Sequence, residues 1–91
     1  MIKSFKHRGL AELFEFGQSR RVRVDLHVRS LRCLEALDQA EALTDLQVPG
    51  FDFLGLRGTP KGDSIHVNGP WCITFEWEEG DALRVDLDQY H

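Results

Sequence analysis

The hydrophobic period changes once along this chain, at Val48-Pro49-Gly50, and that change limits the folds open to it. Before the break, apolar residues recur at helical spacing. Leu10, Leu13 and Phe14 fit the i, i+3, i+4 stripe of a helix over 6–16, with Gly17 as its stop. Val24, Val28, Leu31, Leu34 and Leu37 predict a second helix over about 23–43, with Arg29, Arg32 and Glu35 off the stripe. After the break the period is two. Trp71, Ile73, Phe75 and Trp77 alternate with Cys72, Thr74 and Glu76, and Leu83, Val85 and Leu87 with Arg84, Asp86 and Asp88. Asn68-Gly69-Pro70 joins 64–67 to 71–77 as a hairpin.

With residues 1–5 and 51–57 read as strands, the order is β-α-α-β-β-β-β. This is a single α+β domain over 1–91, with the N-terminal strand and helical hairpin packed on one face of an antiparallel sheet. The other face is open. Period two assigns it Ser64, His66, Cys72, Thr74, Glu76, Arg84, Asp86, Asp88 and Tyr90.

The chain has 91 residues and a net charge of −4, unevenly spread. Residues 1–32 hold eight Lys or Arg against three acids, and 33–91 hold three against twelve. A basic N-terminal half suits nucleic acid or an acidic protein, or is simply a solvated surface. No apolar run is long enough to span a bilayer. No apolar stretch follows the basic start, so no secretory leader is expected, and the cytoplasm is the expected compartment. Cys33 and Cys72 lack CxxC spacing and predict free thiols rather than a metal site or a disulfide.

Several residues can do chemistry. Tyr90-His91 can move a proton or can be a frayed terminus. Arg57 and Lys61 flank a Gly/Pro loop that could hold phosphate, though it is no Walker loop. His66 lies across the hairpin from Cys72, a weak nucleophile couple with no third member. Asp86 and Asp88 are either paired acids or a solubilising strand face. His7 and His27 show no partners in the sequence.

As a whole the chain resembles the HigB-type toxins of bacterial type II toxin–antitoxin systems, in the RelE/ParE superfamily. The resemblance rests on the opening Met1-Ile2-Lys3-Ser4-Phe5-Lys6-His7-Arg8-Gly9-Leu10, on Leu34-Glu35-Ala36-Leu37-Asp38 and on Asp45-Leu46-Gln47-Val48-Pro49-Gly50. Val67-Asn68-Gly69-Pro70-Trp71-Cys72-Ile73-Thr74-Phe75 and the ending Asp86-Leu87-Asp88-Gln89-Tyr90-His91 complete it. It implies a RelE-like fold and metal-independent, ribosome-dependent cleavage of mRNA, with no cofactor. It also implies a HigA-like helix-turn-helix antitoxin, through which alone the chain would meet DNA.

By the resemblance, Tyr90 and His91 match a catalytic terminal pair. Arg57 stands where the family usually has Lys, and Lys61-Gly62 matches its loop. Arg84 and His66 are further candidates for holding RNA phosphate. Two positions depart from the pattern. Cys72 stands where the family has an Arg, and Leu54 where it usually has a His. These departures, with the acids Glu76, Asp86, Asp88 and Asp63, leave two expectations. One is a nuclease with weakened activity. The other is a toxin fold retained for binding an antitoxin.

Overall fold

In the computed structural model, which describes residues 1–51, 63–89 and the backbone of 54–55, the first helix begins and ends on local signals. Helix α1 spans Arg8–Phe16. The Nδ1 of His7 accepts from the Leu10 amide at 3.2 Å, satisfying one of the donors a helix start leaves unpaired. His7 therefore has a partner after all. Gly17 closes the helix at φ 81, and its amide donates to Leu13 at 2.8 Å. Leu10 and Leu13 are fully buried.

The turn that follows lies tight against α1. A Cβ on Gly9 would stand 2.7 Å from His7 Cε1, 2.8 Å from Arg21 Cβ and 2.9 Å from Val22 Cγ2. Gly9→Ala must therefore push the turn away. Overpacking typically costs about 1–3 kcal/mol, more than the roughly 1 kcal/mol gained in helix propensity. A lowered urea midpoint is expected, and an unchanged or raised midpoint would contradict the close approach.

Helix α2 spans His27–Gln39 after a 3₁₀ turn at Val24–Leu26. Its buried face is Ser30, Cys33, Leu34 and Leu37, with Leu31 at the edge. Val24 and Val28, expected in the buried stripe, are instead about four-fifths exposed, at 82% and 81%. For Val28, the one of the two within α2, the reason is angular. At 3.6 residues per turn, each step of three drifts about 60°, so Val28 and Leu37 stand on opposite sides. The helix also stops at Gln39, short of the expected 43, where Ala40 turns extended. Asp45 Oδ2 then accepts from the amides of Glu41 and Ala42, at 2.9 and 3.1 Å, shaping a second 3₁₀ turn at Leu43–Leu46. Leu46 caps the core from there.

The sheet contains β1 (Leu54–Gly55), β2 (Asp63–Asn68), β3 (Trp71–Glu78) and β4 (Asp81–Gln89), antiparallel and in that order. The expected Asn68-Gly69 turn is present, and a second turn joins β3 to β4. The first carries Gly69 at φ 55. The second, Glu79-Gly80, has positive φ at both residues, which suits the twist of the flanking strands. The expected N-terminal strand is reduced to two parallel bridges along β4, Ile2 to Ala82 and Phe5 to Val85. The helices cover the face carrying Ile65, Val67, Ile73, Phe75, Ala82 and Val85, so the α+β arrangement is the one expected. Among the described residues no helix is long and apolar enough to cross a membrane.

The alternation in β4 does not run through as the sequence suggested. Thr74 pairs with Asp86 but Glu76 with Leu83, so β4 holds one extra residue there. Arg84 sits in this bulge at φ 52. Ala82 rather than Leu83 therefore faces the core, and Leu83 shares the open face with Glu76. The N-terminal segment holds the bulge in place. Ser4 Oγ accepts from the Arg84 amide at 2.8 Å, and the Ser4 carbonyl from Val85 at 3.1 Å.

Candidate functional site

Strand register places the open face residue by residue. One row runs Ser64, Thr74, Asp86, with the Leu54 backbone paired to Ser64, and the next runs His66, Cys72, Asp88. Glu76 and Leu83 form a third, with Arg84 beside it in the bulge. Asp63 is not on this face, because its register partner is Phe75, which faces the core. Partial burial pushes the Asp63 carboxyl above its usual range.

Two positions assigned to the open face are buried: Ser64 and Cys72. Both are small side chains on inner strands, shaded by longer neighbours on either side. Cys72 Sγ donates to the Asp88 carbonyl at 3.5 Å. His66 is its register partner, and the imidazole donates from Nε2 to the Gly69 carbonyl at 3.0 Å. A neutral thiol and a ring tied to the hairpin turn thus occupy the middle of the face.

Among the described residues, two ion pairs cross the face. Arg84 Nε is 3.8 Å from Glu76 Oε2, and Lys6 Nζ is 4.0 Å from Asp86 Oδ2. Asp86 also accepts from the Leu87 amide, and Asp88 from the Gln89 amide, so the two carboxylates are bound locally rather than to each other. Lys6 is a contributor that sequence reasoning missed. No local signal could have found it, because it reaches the face only through the parallel docking of residues 1–5 on β4.

Of the described cations at this face, Lys6 and Arg84, Arg84 can readily meet an anion. Its side chain is 73% exposed, and its pairing with Glu76 is long. Such exposed pairs are worth about 0–1 kcal/mol, so a phosphate can take the guanidinium over at little cost. Along β3, Cys72 lies two rows from Glu76, about 13 Å of strand. Arg84 therefore stands at a different position on the face from Cys72.

Of the other proposed site residues, Tyr90, His91, Arg57 and Lys61 lie outside the described residues. The structure places Arg84 and His66 on one face without bringing them together. Both cysteines are free. Burial pushes the Cys33 thiol up to about 11, against the opposing pull of Arg32 and Arg29, so it is no nucleophile near neutral pH. Among the described residues no group of three His, Cys, Asp or Glu could hold a metal ion.

A two-helix layer on one side of an antiparallel sheet, with a polar open face, is the architecture the resemblance implied. Over residues 3–91 the chain matches the family described as the RelE-like toxin of the type II toxin–antitoxin system HigB. It is 38% identical over 92 residues to Endoribonuclease HigB of Proteus vulgaris, covering all of both chains. It is 36% identical over 93 residues to Toxin HigB-1 of Vibrio cholerae serotype O1, covering 99% of this chain and 98% of that protein. The chain belongs to this family of HigB toxins, the members of type II systems that pair with an antitoxin.

Proposed function

We propose that the chain is an mRNA endoribonuclease acting on ribosomes in the cytoplasm, held in check by a HigA-like helix-turn-helix antitoxin and meeting DNA only through it. The observation that carries this reading is the full-length match to a relative named as an endoribonuclease. The reaction is attack of an RNA 2′-hydroxyl on the adjacent phosphorus. The P–O5′ bond breaks, leaving a 2′,3′-cyclic phosphate and a 5′-hydroxyl. A base must take the 2′ proton, an acid must supply one to O5′, and cations must stabilise the crowded phosphate. Tyr90 and His91 are assigned proton transfer and orientation, Arg57 and Lys61 the scissile phosphate, and Arg84 and His66 the flanking RNA.

A second reading is supported by one specific observation. The position where the family has Arg carries Cys72, which is buried. On that reading the chain only binds its antitoxin. Producing the protein in cells without the antitoxin separates the two. New 5′-hydroxyl ends inside coding regions support the nuclease, and growth with intact mRNA overturns it. Arg84→Ala is expected to reduce the cutting about tenfold, the effect of losing roughly one charge-assisted contact. Unchanged cutting would remove Arg84 from the site.

A further inference from the structure

The helical side of the molecule carries a groove of about 880 Å³ where the end of α1, the turn after it and the start of α2 meet. Phe16 and Val24 line it with Arg20, Arg21 and Arg23. Phe16 is 69% exposed, and Val24 and its neighbour Val28 still more so. Val28 in turn edges a second, smaller groove with Arg29 and Arg32. This cluster of exposed apolar side chains is set within a basic surface, and none of the described residues covers it.

The groove is preformed. Ser19 Oγ donates to Glu12 Oε1 at 2.7 Å and accepts from the Arg21 amide at 3.1 Å. His27 Nε2 lies 2.9 Å from the Ser19 carbonyl and 2.8 Å from that of Val22. Two carbonyls can only accept, so this nitrogen carries the proton. His27, with no partner visible in the sequence, thus ties the turn to α2. The acids nearby are already engaged, Glu12 with Ser19 and Arg21, and Asp25 with Arg23 at 2.8 Å. Arg20 keeps its charge unmatched among the described residues.

We propose that this groove is the docking surface for an acidic segment of the antitoxin that carries apolar side chains. The proposal rests on the pairing of HigB toxins with antitoxins and not on the nuclease chemistry. Charge complementarity argues for an acidic partner, and aromatic and arginine side chains are those enriched at protein interfaces. RNA would use the arginines but leave Val24 and Val28 without a counterpart. A second copy docked by the same face would set arginines against arginines.

The test uses the purified protein of the adjacent antitoxin gene and the full-length chain. Phe16→Ser combined with Val24→Ser is expected to weaken binding about 30-fold, as loss of an aromatic anchor does. Arg20→Glu is expected to weaken it about tenfold and to flatten its salt dependence, whereas Lys3→Glu, the same charge change on the N-terminal segment, leaves it within about twofold. All these side chains are exposed, so melting temperatures should stay put and report on folding separately. Binding within twofold of wild type for every variant overturns the proposal. So does loss of ribosome affinity, or of self-association, with antitoxin binding intact. If the antitoxin behaves as expected while wild type cuts no mRNA, the surface stands and only the nuclease reading falls.

Discussion

His91→Ala is expected to lower the rate of mRNA cleavage on the ribosome by about 10²–10⁴-fold, the usual worth of a positioned proton-transfer group. The size follows from what else the face offers. Its carboxylates are engaged, Glu76 and Asp86 by cations and Asp88 by a neighbouring amide. His66 holds the hairpin carbonyl. Cys72 is a buried thiol that donates to the Asp88 carbonyl. Among the described residues, none of these is set up to take over proton transfer from His91. Single-turnover cleavage of a short mRNA on programmed ribosomes measures the effect with binding separated from chemistry. A His91→Ala rate within threefold of wild type would remove His91 from the reaction.

The second large effect runs the other way. Restoring the two departures from the family, Cys72→Arg together with Leu54→His, is expected to raise the cleavage rate about 10²–10³-fold. That is the scale of one stabilising contact made to charge developing in the transition state. The structure offers the new arginine a place. Cys72 lies between His66 and Asp88 in the register, so a guanidinium there has a carboxylate beside it and an open face above it. Its stem can cover the neighbouring strand while the charge reaches solvent. Register puts Leu54 in the adjacent row, next to Ser64. If the double variant folds with an unchanged melting temperature and cuts no faster, the missing groups are not what limits this chain.

Much of this was legible in the sequence, for identifiable reasons. The change of period at Pro49 separated helices from strands because buried faces impose their repeat directly. Asn68-Gly69 fixed the hairpin, and with it the pairing of His66 and Cys72. What was not legible depends on contacts distant along the chain. The β4 bulge has no glycine to announce it. It is held by Ser4, eighty residues away, and it moves Leu83 to the open face and Ala82 to the core. The exposure of Val28 was readable in principle from the helix angle, and was hidden by treating a run of three-residue steps as one stripe, while Val24 lies in the 3₁₀ turn before the helix. The burial of Cys72 depends on neighbours across two strands, which alternation alone does not weigh. For the site, the sequence identified residue types, while Lys6 and the local capture of the carboxylates came only from the fold.

The most direct test of the central claim is to incubate the purified chain with ribosomes programmed with a defined mRNA and to determine the chemistry of the ends it leaves. The account predicts cuts only in ribosome-bound mRNA, each leaving a 2′,3′-cyclic phosphate upstream and a 5′-hydroxyl downstream. Intact mRNA under conditions where the same protein binds its antitoxin tightly would contradict it, and would make this a toxin fold kept for binding alone.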